Sequence, residues 1–295
     1  MATRTRPGAA PVLNAVPVAV GLAAGAVVVA TSRYRGAGLW PVWSAMALAL
    51  TGTAGAVFAF GLRQWRALPP AERPTGRAAA LITGAVTLGA VLNGVVTVTV
   101  PVHDRSATWQ GSVLVGTAVL GAVPTACTVH AIRAAALADH GDTDAGELTR
   151  WLLERRQSLR SMLAGLGALV ALSTLALGVA VRTEAQQVQT QALAAADATP
   201  AEYVLVFGGA GSLLVGVLYT PAALALRRQA RLLAARLFPL TGTDEPERLL
   251  ERAEQRARFE QLLGTTTGPF ADLQADIVVL TPLLAAAVAV WLPKT

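Results

Sequence analysis

Residues 161–181 read SMLAGLGALVALSTLALGVAV, and their reading decides the fold. No ionisable side chain interrupts them. As a helix rising 1.5 Å per residue they reach about 31 Å, which matches the ~30 Å hydrocarbon core of a bilayer. Helices buried in water-soluble proteins rarely need so long an uncharged run. A bilayer requires one, because an ionised group in hydrocarbon is costly.

Six further stretches resemble this one, at 12–31, 40–61, 79–101, 112–131, 203–226 and 277–292. All 24 Lys and Arg and all 18 Asp and Glu fall outside the seven. Charged residues make up 14% of the chain, against roughly 25% in ordinary globular domains. The expected fold is therefore all-α: a polytopic transmembrane helix bundle with six or seven spans. The seventh is the open one. At 277–292 a helix reaches only about 24 Å, and Pro282 interrupts it, so a short crossing is favoured over a helix docked without crossing. Arg4 and Arg6 before the first stretch imitate a signal peptide. The stretch exceeds the usual ~7–15 residues of such a core and more spans follow, so it reads as an uncleaved first helix.

Orientation follows the asymmetry of basic residues. With the N-terminus cytoplasmic, the inner side holds Arg4, Arg6, Arg63, Arg66, Arg73, Arg77, Arg133, Arg150, Arg155, Arg156 and Arg160. It also holds the series from Arg227 to Arg258. Only Arg33, Arg35, Arg105, Arg182 and Lys294 stay outside. Trp40, Trp43, Trp109, Tyr34 and Tyr203 fall near outer helix ends, and Trp65 and Trp151 on the inner side, where interfacial anchoring accounts for them. Arginine supplies every basic residue but Lys294, which with abundant Ala, Gly and Val suggests a high-GC bacterial gene and a cell-membrane location.

The polar mass gathers inside as helical extensions. Asp144 and Glu147 make an N-cap and third-position pair. The helix they open carries Leu148, Trp151, Leu152 and Leu159 and is expected to run unbroken into 161–181. The 203–226 stretch is expected to continue inward to Pro239. Asp244, Glu245, Pro246 and Glu247 start a cytoplasmic helix near 244–263, with a stripe of Leu249, Leu250, Ala253, Ala257, Leu262 and Leu263. Residues 1–135 thus form a four-helix membrane region of two hairpins. Residues 136–295 form a long hairpin with cytoplasmic extensions, the 244–263 helix and the 277–292 segment. Similar exits at Phe60–Arg63, His130–Arg133 and Leu224–Arg227 fit three tandem hairpins, and fit chance equally well.

Chemistry is hard to assemble from these residues. The spans contain no carboxylates, the usual actors of proton-coupled transport and intramembrane proteolysis. Cys127 is the only cysteine, which removes any intrachain disulfide. His130 follows it by three residues and so lies on nearly the same helix face, but no second cluster completes a metal or thiolate–imidazole site. The run Asp139-His140-Gly141-Asp142-Thr143-Asp144 lacks calcium-loop spacing and reads as a solvated turn. His103 is expected to be solvated, and Asp272 and Asp276 to flank the last segment. No cofactor or metal is expected.

Candidate pathway or helix-packing residues are Asn93, Pro124, Gly208, Gly211, Gly216, Tyr219 and Pro221. Prolines 124 and 221 would loosen their helices and free backbone carbonyls. Small residues such as Gly21, Gly25 and Gly208–Gly216 let membrane helices approach closely. Candidate cytoplasmic docking residues are Trp151, Leu249, Leu250 and Leu262. The sequence ranks a non-enzymatic pore or transport-system membrane subunit first. A membrane interaction or signalling protein docking a cytoplasmic partner comes second, and an enzyme at the cytoplasmic surface last. Expected partners are the lipid bilayer, a second copy or another membrane subunit, and a cytoplasmic protein. The basic residues cluster at span ends rather than in a groove, so nucleic acid is not expected.

Overall fold

A computed structural model describes residues 10–73, 76–77, 80, 84, 105–140, 144–190, 202–240 and 246–265. Among them are six α-helices: α1 (Ala10–Ala30), α2 (Trp40–Ala67), α3 (Arg105–Ala136), α4 (Ala145–Thr190), α5 (Glu202–Leu237) and α6 (Pro246–Leu262). Short 3₁₀ turns occupy Arg33–Gly36 and Pro70–Glu72. Four helices, α2 to α5, are long and apolar enough to cross a membrane. All of 277–292, and all of 79–101 but residues 80 and 84, lie outside the described residues.

The helices start and stop for local reasons. Asp144 caps α4, its Oδ2 accepting from the backbone N–H of Gly146 at 2.9 Å and of Glu147 at 3.1 Å. At the end of α2 the prolines at 69 and 70 forbid continuation. There Arg73 turns back to serve the open carbonyls, donating from Nε to Leu68 O at 2.9 Å and from Nη2 to Arg66 O at 2.7 Å. Gly264, with φ +64°, takes the left-handed position that closes α6. Its N–H donates to Gln261 O, and the Thr265 N–H donates to Glu260 O, each at 2.9 Å. This is the paired pattern of a glycine-terminated helix.

α4 is one helix of 46 residues, about 69 Å long. Its first part, through Arg160, is charged, and residues 161–181 are apolar. α5 runs 36 residues and ends at Leu237, just before Pro239, as its sequence predicts. Pro124 lies inside α3 and Pro221 inside α5. Neither ends its helix.

Helix α2 is the hub, packing against α1, α3 and α5's long neighbour α4, while α4 pairs with α5 and α3 touches both. Glycines set the closest approaches. A Cβ on Gly21 would collide with Thr51 O, one on Gly25 with Thr51 Oγ1, and one on Gly55 with Pro17 O. The Gly21/Gly25 pair is therefore spent on α2, by the close-packing logic that joins membrane helices. At the α2–α3 crossing a Cβ on Gly61 would sit 2.5 Å from Thr125 Oγ1, and one on Gly121 would sit 2.7 Å from Ala54 O. Buried hydroxyls occupy the same seam. Thr128 Oγ1 donates to Pro124 O at 2.8 Å and lies 3.3 Å from Gly61 O across the helix pair.

Three apolar clusters form among the described residues: an inner one beside the charged ends of α4 and α5, an outer one away from them, and a small third of Val181 and Val204. The outer one joins Val28, Trp43, Ala47, Leu50, Ala54, Val57, Leu114 and Leu169. Trp43 is only 2% exposed, so its ring packs into this cluster rather than standing open as an anchor would. The anchoring expectation fails for this residue because α1 and α3 close over it. Trp109, 39% exposed, remains open. The larger inner cluster joins Ile132, Leu152, Leu159, Met162, Leu163, Tyr219, Ala222, Leu226 and Leu233, and reaches Leu263 beyond α6.

Candidate functional site

The charged ends of α4 and α5, together with α6 and the connection after α2, form one layer at one end of the bundle. Contacts fix the connection there: Arg155 Nη2 lies 3.4 Å from Glu72 Oε2, and Ser158 Oγ lies 3.5 Å from Gln64 Oε1. The opposite end has its own tie, with Gln110 Nε2 donating to Thr31 O at 3.1 Å. The two ends of the bundle therefore carry distinct sets of connections, as a spanning topology needs.

Helix α6 sits on this layer by its C-terminal end. Phe259 meets Phe238 after α5, ring centroids 5.7 Å apart, and Leu263 enters the inner cluster. Arg156 of α4 donates to Leu263 O at 2.5 Å. The stripe expected on this helix is thus turned. Leu263 is buried and Leu249 half-buried, but Leu250 and Leu262 are 66% and 61% exposed, and Ala253 and Ala257 are exposed too. The reason is the aromatic pair: seating Phe259 on Phe238 brings Arg256 and Glu260 inward, where they pair at 2.9 Å.

Trp151 lies half-buried on α4, flanked by His140 with ring centroids 5.5 Å apart and by the Arg155 guanidinium 5.9 Å from its ring centre. His140 in turn makes a 2.8 Å hydrogen bond between Nδ1 and Ala138 O. Trp151 is thus held by the layer, unlike Leu250 and Leu262, which face away from it.

Between α5 and α6 lies an open groove of about 520 Å³. Leu224, Arg227, Arg228, Arg231, Leu232 and Ala235 of α5 line it, with Arg256 of α6 on the far wall. Arg227 is only 9% exposed and also borders a smaller void of about 30 Å³ on the inner side, shared with Arg156, Tyr219 and Leu263. Sequence reasoning placed these arginines as a span flank and missed the groove. The signal was their spacing: 227, 228 and 231 fall on one side of a helix.

The sequence candidates divide as follows. Tyr219 is 5% exposed and sits in the inner apolar cluster beside Pro221 and Ala222. Gly208 is buried. A Cβ on Gly211 would lie 2.7 Å from Val170 Cγ1, placing Gly211 at the α4–α5 contact, whereas Gly216 faces open space. Pro124 is buried at the α2–α3 seam. Asn93, Asp142, Asp272 and Asp276 lie outside the described residues. Cys127 is a buried free thiol, His130 is half-buried, and among the described residues no three His, Cys, Asp or Glu side chains gather as metal ligands would.

Among the described residues, a helical bundle with four helices long and apolar enough to cross a membrane, and a charged layer at one end, has the build of a helical membrane protein. The chain matches no protein-family model, and no curated protein or solved structure is significantly similar to it.

Proposed function

We propose that this chain is a multi-pass protein of the bacterial cell membrane, with six or seven spans and its N-terminus cytoplasmic. In this reading it acts without catalysis, through the charged layer at its inner end, which docks a cytoplasmic protein. The observation that carries the reading is α4, a single helix of 46 residues that joins an apolar span rigidly to the layer. A state sensed in the bilayer can pass along such a helix without crossing a flexible joint. Leu250 and Leu262, exposed on α6, offer the partner apolar contacts between charged neighbours, the composition of a docking face.

The pore or transport reading, first on sequence grounds, needs helices opened at Pro124 and Pro221. Both prolines lie inside their helices, and Tyr219 and Ala222 beside Pro221 are packed in an apolar cluster, which favours docking over a water-lined path there. Docking is accordingly the better supported function. The deciding experiment compares wild-type chain with Leu250→Glu/Leu262→Glu after cross-linking in native membranes and purification. A stoichiometric soluble partner is expected with the wild type, and its loss with the variant. Selective ion flux through liposomes containing the purified chain alone, unaffected by the variant, would replace docking with the pore reading.

A further inference from the structure

The arginine groove marks a second binding site. Its ionisable wall residues are Arg227, Arg228, Arg231 and Arg256, all cationic, and Leu224 and Leu232 beside them are 47% and 55% exposed. The groove begins where the apolar stretch 203–226 ends, at the level of a headgroup layer in the membrane placement proposed above, on which this inference rests. Glu260 holds Arg256 Nε at 2.9 Å and so fixes the guanidinium of the far wall. We propose that the groove binds one anionic phospholipid. The arginines take its phosphate, for which the planar guanidinium fork is suited, and Leu224, on the membrane side of them, takes the first methylenes of its acyl chains. Basic pockets at helix ends recognise acidic headgroups in this way. Free phosphate shares the anionic chemistry but makes no use of Leu224. Since the groove spans α5 and α6, an occupying lipid also clamps the docking helix to the bundle.

The test uses the full chain in a neutral detergent, titrated with short-chain phosphatidylglycerol, short-chain phosphatidylcholine and inorganic phosphate, with binding read by native mass spectrometry. Saturable binding of phosphatidylglycerol is expected, at least tenfold tighter than either alternative. Arg228→Gln/Arg231→Gln, both exposed, weakens it roughly 30-fold, taking each surface arginine at the usual contribution to acidic-lipid attraction. The control pair Arg66→Gln/Arg133→Gln, exposed at the same end of the bundle, changes it less than twofold. Melting without lipid checks that each variant is folded, and the wild-type selectivity stands without any variant. Equal affinity for phosphatidylcholine, equal loss in the control pair, or phosphate binding as tightly as phosphatidylglycerol each overturns the site. Failure of the membrane placement is read separately, by labelling at residues 36 and 76.

Discussion

Arg155 on α4 reaches Glu72 in the connection after α2, with Nη2 and Oε2 3.4 Å apart. The pair joins residues 83 positions apart in sequence and puts the 63–77 connection on the charged layer. Their side chains are 14% and 24% exposed, so solvent screens them only in part. A double-mutant cycle on Glu72→Gln and Arg155→Gln is expected to give a coupling of about 1 kcal/mol, at the upper end for exposed pairs. Melting of the purified chain in detergent measures it, and additive single losses would deny the pair any role.

Packing at the α1–α2 seam predicts a contrast between glycines. Gly55→Leu should destabilise the chain by about 3 kcal/mol or more, since even a Cβ there strikes the α1 backbone and over-packing forces helices apart. Gly216→Leu, into open space, should change stability by less than about 0.5 kcal/mol. Thermal unfolding in one detergent compares them.

The α2–α3 seam separates hydrogen bonding from close approach. Thr128→Val removes a hydroxyl bonded within its own helix and 3.3 Å from Gly61 O, and interhelical bonds of this kind average only about 0.6 kcal/mol. Gly61→Ala adds a Cβ 2.5 Å from Thr125 Oγ1 and 2.6 Å from Thr125 N. The alanine variant is expected to lose at least twice as much stability as the valine variant. The reverse order, in the same melting assay, would make hydroxyl bonding the main tie.

Gly264→Ala should loosen α6 alone. At φ +64° a side chain costs about 1 kcal/mol, and its Cβ would run into the Arg156 guanidinium. Hydrogen exchange across residues 246–265 should quicken severalfold while α2 and α3 keep their protection. Unchanged exchange would show that Phe259 and Leu263 hold the helix without the turn.

Much of this architecture is legible in the sequence because hydrocarbon imposes one rule everywhere: ionised groups stay out and backbones satisfy themselves. That rule yields the apolar parts of α2 to α5, while the unbroken course of α4 follows from its Asp144 cap and the lack of any proline inside it. Caps were legible where the residue type is specific, as at Asp144. What the rule leaves out is which side of an apolar helix meets a neighbour. Trp43 reads as an anchor because its position along the helix fits a headgroup layer, and only the rotation of α2 against α1 and α3 buries it. The face that α6 turns to the bundle is not legible for a related reason: Phe259 pairs with Phe238, and Leu250 and Leu262 stay exposed. The arginine groove needs two helices at once, and Arg256 shows no sign in the sequence of facing Arg231.

The central claim is that α2 crosses a bilayer, with Gly36 and Gly76 on opposite sides. Each glycine has open space around its Cβ position, and replacing Cys127, the only cysteine, with alanine gives a clean background. Gly36→Cys should react with a membrane-impermeant maleimide in intact cells, and Gly76→Cys only after permeabilisation. Labelling of Gly76→Cys from outside, or of both positions from the same side, would contradict the account.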